Sequence, residues 1–511
     1  MVKQPQTNFM ETTHMNKKYI YLIIATIFGL FIGGKWNIPL AAWIAPIFAL
    51  RFFRESEKAG RNFLLLWLAS SIPTIISWQG ATFMSKIHPV AEIGFFLLTT
   101  PIGLIPYVID RIYYRRFGST AWLTLVFPIA VTAIDFFSST GTPFGTFGAA
   151  AYSQRDFLSV MQIASVTGLW GITFLINWFA SLMNHLWDSG FKFTRLSLTF
   201  TCLLALIISL GFMRTLLPAQ PESTATIAGF SLPNGKLIEV MNQLQSGDEA
   251  GFHQSVSELH IQQLNQIRKL ADEGANIISL QEGAGIGFTN EVEKLIADAS
   301  AIAQEKNIYI VLPTFDMEKT PAENKVHIID PTGTVVLTHT KYGGNDFEGT
   351  LKGDGILQSV DTPYGKLSAV ICWDADFPNV MKQAGEQNID LLFIPSQDWV
   401  EVRDIHSGMS VFRAVENGMT IFRQTGQGVS IVTDAYGNQY NRVDSFENET
   451  EGFASVQNVS TPIGSVNTLY PSLGDFLGNF MQIGLLGSIV GLFMTRKKKA
   501  ITNLQMEVAT K

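Results

Sequence analysis

The 511-residue sequence predicts a multi-pass helical membrane domain of about eight spans joined to a layered α/β domain outside the cytoplasm. Three observations carry that prediction. Hydrophobic residues make up 47% and charged residues only 15% of the chain, where soluble proteins carry roughly 25% charge. The missing charge is concentrated in separate apolar runs. Most of the charge falls in one long stretch, which reads as alternating strands and helices. The same composition excludes other classes. A net charge of −7 leaves no basic excess to neutralise nucleic-acid phosphate. Two cysteines cannot build a disulfide scaffold. The 37 Phe and 10 Trp, without repeats, rule out disorder, collagen and coiled coil.

Residues 19–34, 36–50, 62–85, 93–109, 118–134, 157–184, 196–213 and 476–495 contain no Asp, Glu, Lys or Arg. A helix needs ~20 mostly apolar residues to cross ~30 Å of hydrocarbon, and helices of soluble proteins show a polar face that these runs lack. Positive charge then sets the orientation. Arg51, Arg54, Lys58 and Arg61 follow the second run, and Arg111, Arg115 and Arg116 the fourth. Lys192 and Arg195 separate the sixth and seventh, and a basic tail covers 496–499. Basic loops stay cytoplasmic, so both termini are expected inside and the stretch between runs seven and eight outside. The division is 1–217 membrane domain, 218–472 extracytoplasmic domain, 473–511 last span and basic tail.

Within 218–472, short apolar runs bounded by turn residues read as buried strands: 224–230, 276–280, 308–313, 326–330, 334–339, 366–372 and 390–395. Polar helical stretches near 249–274, 291–306, 378–387 and 406–417 alternate with them. That alternation points to layered α/β packing. Three runs end in a reactive group: 276–280 leads to Gln281 and Glu282, 334–339 to Thr340 and Lys341, and 366–371 to Cys372, Trp373 and Asp374. Sites in open α/β sheets gather beyond the carboxyl ends of strands. A thiol, a carboxylate and an ammonium meeting there divide the labour of acyl transfer as nucleophile, base and oxyanion partner.

The order Glu282, Lys341, Cys372 and the phrase ICWDADFP (371–378) resemble the carbon–nitrogen hydrolase, or nitrilase, superfamily. With SQDW (396–399), His406, FRAVENG (412–418), RQTGQGVSIVTDAYGN (423–438) and the membrane layout, nearly the whole chain resembles bacterial apolipoprotein N-acyltransferase. The resemblance implies a nitrilase-like α-β-β-α sandwich facing the periplasm of a bacterial inner-membrane protein. It implies ping-pong transfer of an acyl chain from a phospholipid, through a Cys372 thioester, to the N-terminal amine of a diacylglyceryl lipoprotein. Glu282 becomes the general base. Lys341 stabilises the tetrahedral intermediate, with the Trp373 backbone N–H as second donor. Glu348 orients Lys341 or the amine, and Trp373 and Asp374 match the pair after the family's cysteine. Membrane lipids are the surroundings, a monomer is expected, and no cofactor, metal or nucleic acid is called for. The rival readings are a membrane-anchored amidase or hydrolase and a non-catalytic lipoprotein-binding relative.

The chain departs from the family phrases at Leu280-Gln281, where Trp-Pro is usual, at 342–355 after the lysine, and at 229–240 after the first strand. The glycines of 344–349 have phosphate-loop spacing, but Thr350 stands where Lys is needed. Residues 229–233 fail as a nucleophile elbow at Pro233, and no zinc ligand set occurs. His253 and His260 are expected in solvent on a polar helix. His406 is expected at the start of its helix, either in the pocket or on the surface. Cys202 is expected inert in a span, which leaves Cys372 a free thiol. Asp135 is expected to make a helix-end contact, and the loop 138–156 to form a lipid-entry lip or a connector.

Overall fold

The computed structural model describes residues 8–450 and 452–509, with side chains described from 17 to 449 and from 452 to 494. The basic tail 496–499 lies outside the described side chains. Helices occupy all eight expected regions: Asn8–Gly29, Pro39–Arg54, Ala59–Ser77, Pro89–Phe117, Ala121–Thr140, Leu169–Asp188, Arg195–Leu216 and Phe476–Ala509. Five of them are long and apolar enough to cross a membrane, namely Ala59–Ser77, Pro89–Phe117, Ala121–Thr140, Arg195–Leu216 and Phe476–Met494. Pro39–Arg54 has only 16 residues, and Leu169–Asp188 carries Asn177, Asn184 and His185. The expected continuous span 157–184 is broken. Two single-turn helices, Leu158–Met161 and Ala164–Thr167, precede a turn at Gly168 (φ +60°), and the span helix starts only at Leu169. Met161 and Ala164 are apolar because they pack under the α/β domain with Val411, Phe412 and Val415.

The arginines collect at one end of the bundle. Arg54 and Asp110, both buried, form a two-pronged ion pair at 2.6 and 2.7 Å. Arg111 donates to the Phe53 carbonyl at 3.0 Å, Arg115 to that of Ser56 at 2.6 Å, and Arg51 pairs with Asp188. Pro39, at the start of the helix that ends in Arg54, receives a hydrogen bond from Gln154 instead. Sixteen residues of helix separate these ends by about 24 Å. The α/β domain sits at the Pro39 end. Trp399 donates to the Gly80 carbonyl at 2.7 Å, and Gln162 to the Tyr436 carbonyl at 2.9 Å.

Among the described residues fourteen strands build the domain: β1 (Ser223–Ser231), β2 (Ile277–Leu280), β3 (Gly285–Gly287), β4 (Tyr309–Asp316), β5 (Glu323–Ile329), β6 (Val335–Thr340), β7 (Val360–Thr362), β8 (Gly365–Ala369), β9 (Leu391–Gln397), β10 (Thr420–Gly426), β11 (Val429–Thr433), β12 (Gln439–Asp444), β13 (Glu449–Thr450) and β14 (Phe453–Ile463). One sheet runs β13-β14-β1-β2-β4-β5-β6 with β3 beside β4, and the other runs β12-β11-β10-β9-β8-β7. The central pairs β1–β2, β2–β4, β8–β9 and β9–β10 are parallel. Covered on both faces, their sequences read as unbroken apolar runs. Alternate residues divide between layers. Ile227, Ile277, Val311, Leu367, Phe393 and Phe422 fill the space between the sheets. Phe230, Ile278 and Leu312 face the helices Glu249–Asp272 and Thr289–Lys306, while Leu392 and Ile394 face Pro378–Glu386 and Arg403–Asn417. The result is an α-β-β-α sandwich.

His260 differs from expectation. It is buried, with Nε2 bonded to the Ile286 carbonyl at 3.0 Å, and burial holds its pKa down at about 4. His253 stays half exposed beside Glu291. Cys202 is exposed on the bundle surface, and both cysteines are free thiols.

Candidate active site

β2 and β6 end one residue or two before their chemistry begins, placing Glu282 and Lys341 at carboxyl ends of strands in the first sheet. β8 delivers Cys372 from the second sheet, in the 3-10 turn Cys372–Asp376. The three predicted groups converge. Lys341 Nζ is 2.7 Å from Glu282 Oε1, and it donates to both Glu348 oxygens at 2.6 and 2.7 Å. Lys341 is 1% exposed, so its three ammonium hydrogens are met by carboxylates instead of water. Glu282 is held from two further directions. Asn324 Nδ2 donates to Oε1 at 2.8 Å and the Gln397 N–H to Oε2 at 3.0 Å. Burial pushes the Lys341 pKa down, but Glu282, Glu348 and the thiol outweigh it and hold it well above the usual lysine value.

Cys372 is buried, with Sγ 3.8 Å from the Gln397 carbonyl. Burial and then the Glu282 charge push its thiol well above the usual value, against the opposing pull of Lys341 and Arg423. The resting nucleophile is therefore a neutral thiol that needs a base. Its backbone is in the left-handed region at φ +45°. A non-glycine residue persists there only when its surroundings over-determine it. Asp374 supplies much of that constraint. Fully buried, its Oδ1 accepts from the Tyr342 and Gly343 N–H groups at 2.8 and 2.7 Å, and its Oδ2 meets the Ile371 N–H at 2.9 Å and His339 at 2.8 Å. Asp374 thus ties the cysteine turn to the segment that follows Lys341. The Trp373 ring stacks on Phe347 at 5.6 Å, and its Nε1 donates to the Phe144 carbonyl at 3.2 Å.

The departures from the family phrases have structural uses. Gln281 joins β1 to β9, accepting from the Leu232 N–H and donating to Gln397 Oε1 at 3.1 Å. Gly344 and Gly349, both left-handed, bracket the turn that presents Glu348 to Lys341, so these glycines shape a lysine site instead of a phosphate cradle.

Of a second charged group behind the thiol, the sequence reading offered only His406, and not its partners. His406 is buried. Its Nδ1 lies 2.7 Å from Asp398, and its Nε2 lies 3.3 Å from Asp376. Arg423, also buried, donates to both Asp398 oxygens at 3.0 Å. Burial and Arg423 press the His406 pKa down, but Asp398 and Asp376 prevail and hold it at about 9. Donor atoms of Cys372, Asp398 and His406 fall within 4.8 Å of one another. Arg423 Nη2, 3.1 Å from His406 Nδ1, already provides the cation there, so the group is a poor metal site. The phrases SQDW and RQTG held Asp398 and Arg423, but nothing local in them announces a pairing across 25 residues. Asp135 makes the expected helix-end contact, accepting from Thr173 at 2.8 Å and from the Ala150 N–H.

Comparison with known proteins agrees with this layout. Residues 241–457 match the carbon–nitrogen hydrolase family, and residues 25–182 match the apolipoprotein N-acyltransferase N-terminal domain. The chain is thus similar to apolipoprotein N-acyltransferases in its membrane region and to carbon–nitrogen hydrolases in its α/β region. An apolipoprotein N-acyltransferase of Geobacter metallireducens is 22% identical over 424 residues, covering 74% of this chain and 78% of its own. Omega-amidase NIT2 of Mus musculus is 27% identical over 151 residues, 25% of this chain. The chain spans about half the length of this amidase, 54% of it. An amidase from Nesterenkonia sp. superposes with a TM-score of 0.36 and 18% identity, covering 47% of this chain and 91% of that one.

Proposed function

We propose that the protein is a bacterial inner-membrane N-acyltransferase. In this reading it moves a fatty-acyl chain from a phospholipid to the N-terminal amine of a diacylglyceryl lipoprotein, through a thioester on Cys372. The carrying observation is the buried Glu282–Lys341 pair at 2.7 Å, whose charges both act on the Cys372 thiol, in a domain seated on the membrane bundle. Glu282 takes the thiol proton, and the thiolate adds to the ester carbonyl. The oxyanion is met by Lys341 Nζ and the Trp373 N–H. As Glu282 becomes neutral its hold on Lys341 weakens, which frees an ammonium hydrogen for the oxyanion at the moment it forms. The lysophospholipid alkoxide leaves with the proton from Glu282. The acceptor amine then attacks the thioester, gives its proton to Glu282, and Cys372 returns as a thiol. Glu348 keeps Lys341 charged and positioned throughout.

Eight spans with both termini inside are supported by helices in all eight expected regions and by the arginine cluster at the end of the bundle away from the domain. In this reading the site lies at the periplasmic surface, where donor and acceptor are both anchored, and shared anchoring raises their effective concentration. The protein acts as a monomer in this account. The test is to incubate full-length protein with phospholipid and follow the peptide containing Cys372 by mass. A fatty-acyl adduct that then passes to a lipopeptide amine is expected. An adduct that only hydrolyses, or turnover of small amides alone, would make the protein a hydrolase. No adduct and no turnover would leave a binding protein.

A further inference from the structure

The turn that carries Cys372 is held from the membrane domain as well as from its own sheet. The segment 144–146, between the span helices Ala121–Thr140 and Leu169–Asp188, lies against it. The Phe144 carbonyl accepts from Trp373 Nε1 at 3.2 Å, and the Phe144 ring stacks on Phe347, which stacks on Trp373. At the other end of the turn, the Thr146 N–H and hydroxyl both donate to the Asp376 carbonyl, at 2.8 and 2.9 Å. Gly145 permits this approach. It is left-handed at φ +60°, and a Cβ there would sit 2.6 Å from the same carbonyl oxygen. Arg413 completes the frame. Its Nε donates to the Ala375 carbonyl at 2.7 Å, while its Nη2 reaches the Thr146 hydroxyl and the Tyr152 hydroxyl. Arg413, Thr146 and Tyr152 are all buried. These contacts span 230 residues of sequence and join the two ends of a five-residue turn whose first residue is the strained cysteine.

We propose that the membrane-domain segment 144–146 positions the nucleophile. Through the Asp376 carbonyl and the Trp373 ring it fixes the turn Cys372–Asp376, so the membrane domain contributes to the acylation step itself and not only to delivering lipid. Thr146 is a positioning residue that acts through the turn. The inference rests on the reading of Cys372 as the acylated thiol. It also gives the loop, expected as a lip or a connector, a role in the chemistry.

The experiment is single-turnover acylation of full-length protein in detergent micelles containing phospholipid, followed by intact mass, for Thr146→Val, Thr146→Ser and Gly145→Ala. Thr146→Val keeps the size and the N–H but removes the hydroxyl. Because small misplacements of a reacting group cost up to ~100-fold, its acylation rate constant is expected to fall by about 10- to 100-fold. The lipid concentration for half saturation should stay within about twofold, since only positioning changes. Thr146→Ser, which restores the hydroxyl, should recover the rate to within about threefold. Gly145→Ala should lose at least as much as Thr146→Val, because its Cβ displaces the turn directly. An acylation rate for Thr146→Val within about twofold of wild type, or an equal loss in Thr146→Ser, overturns the proposal. Cys372→Ala is the separate control. An acyl adduct persisting there would remove the reading on which the proposal stands, whereas its loss together with an unimpaired Thr146→Val would remove the positioning role alone.

Discussion

Replacing Glu282 with glutamine separates a base from a mere counter-charge. The carboxylate is met only by donors: Lys341 at 2.7 Å and Asn324 at 2.8 Å on Oε1, and the Gln397 N–H at 3.0 Å on Oε2. An amide must turn its NH2 toward one side. The milder choice keeps its oxygen on Lys341 and Asn324 and sets two N–H donors against each other at Gln397. One buried hydrogen bond lost with its donors unsatisfied costs about 1–3 kcal/mol, which a folded domain of this size survives. The effect on chemistry is larger. Removing a positioned base costs about 10²–10⁴ in rate, so thioester formation from phospholipid should slow at least ~100-fold. The sign for the free thiol is opposite. Burial and then the Glu282 charge hold the Cys372 pKa up. Removing that charge lowers it, so more thiolate is present at a given pH and iodoacetamide should alkylate Cys372 faster in the variant. Acylation of the variant should also climb with pH, because solvent must now take the proton. Rapid-quench mass spectrometry of the Cys372 peptide, with either phospholipid or iodoacetamide, measures both. Acylation within about threefold of wild type, or alkylation slowed in parallel with acylation, would refute the assignment of Glu282 as base.

Lys341→Met removes the oxyanion partner and the cation between two carboxylates. Transfer should fall by about 10²–10³, and alkylation should slow as well, since the Lys341 charge lowers the thiol pKa; parallel kinetics on the two reagents test it. Cys372→Ala and Cys372→Gly should both be inactive yet inserted. The glycine variant should be more stable by about 1 kcal/mol, because the backbone at φ +45° suits glycine; denaturant titration in detergent measures the difference. His406 has a raised folded pKa of about 9. Its contribution is therefore complete below the unfolded value near 6.5 and lost as pH rises through about 9. The loss over that window is on the order of 3 kcal/mol. His406→Asn should be less stable at pH 6 and should lack that slope, as read from unfolding midpoints between pH 6 and 10.

The three reactive groups were legible because each follows a strand-like run, continuously buried before Glu282 and Cys372 and alternating in burial before Lys341, whose end announces a carboxyl edge. The spans were legible for the same kind of reason, since absence of charge is local. Misreadings arose where burial has the same composition as lipid exposure. Residues 157–168 are as apolar as a span, yet Met161 and Ala164 face the helix Arg403–Asn417 and not lipid. His260 sits on a helix rich in Gln and Glu, and only the packing of that helix over β3 buries it. His406 was expected in the pocket or on the surface, and burial decides for the interior; Asp398, Arg413 and Arg423 were quoted in phrases without roles because their partners lie on other elements or, for Arg413, in the membrane domain. The strands β12, β13 and β14 were missed. The last of them pairs antiparallel with β1, from Ser223 opposite Ile463 onward, and so brings the end of the domain beside its beginning.

The charge arrangement explains why one lysine is given two carboxylates. A buried ion without a partner costs several kcal/mol, so a reaction in a dry site is easiest when it creates no net charge. At rest Lys341 is positive, Glu282 and Glu348 are negative and Cys372 is neutral, a sum of −1. When the thiol proton moves to Glu282 the sum is unchanged, because one negative charge has shifted from oxygen to sulfur around the same ammonium. That holds with or without Glu348; what Glu348 adds is a carboxylate that stays on Lys341 once Glu282 is neutral. Without it, Lys341 would face a neutral Glu282 and a thiolate alone, and the thiolate would be stabilised as an ion pair and made a poorer nucleophile. The second group, with Asp398 and Asp376 set against His406 and Arg423, sums to zero, and on the thiol Asp398 and Arg423 act in opposite directions. It serves to brace Asp376, the same residue whose carbonyl the membrane domain grips. The nucleophile turn is thus fixed at its far end from two sides while the proton moves at its near end.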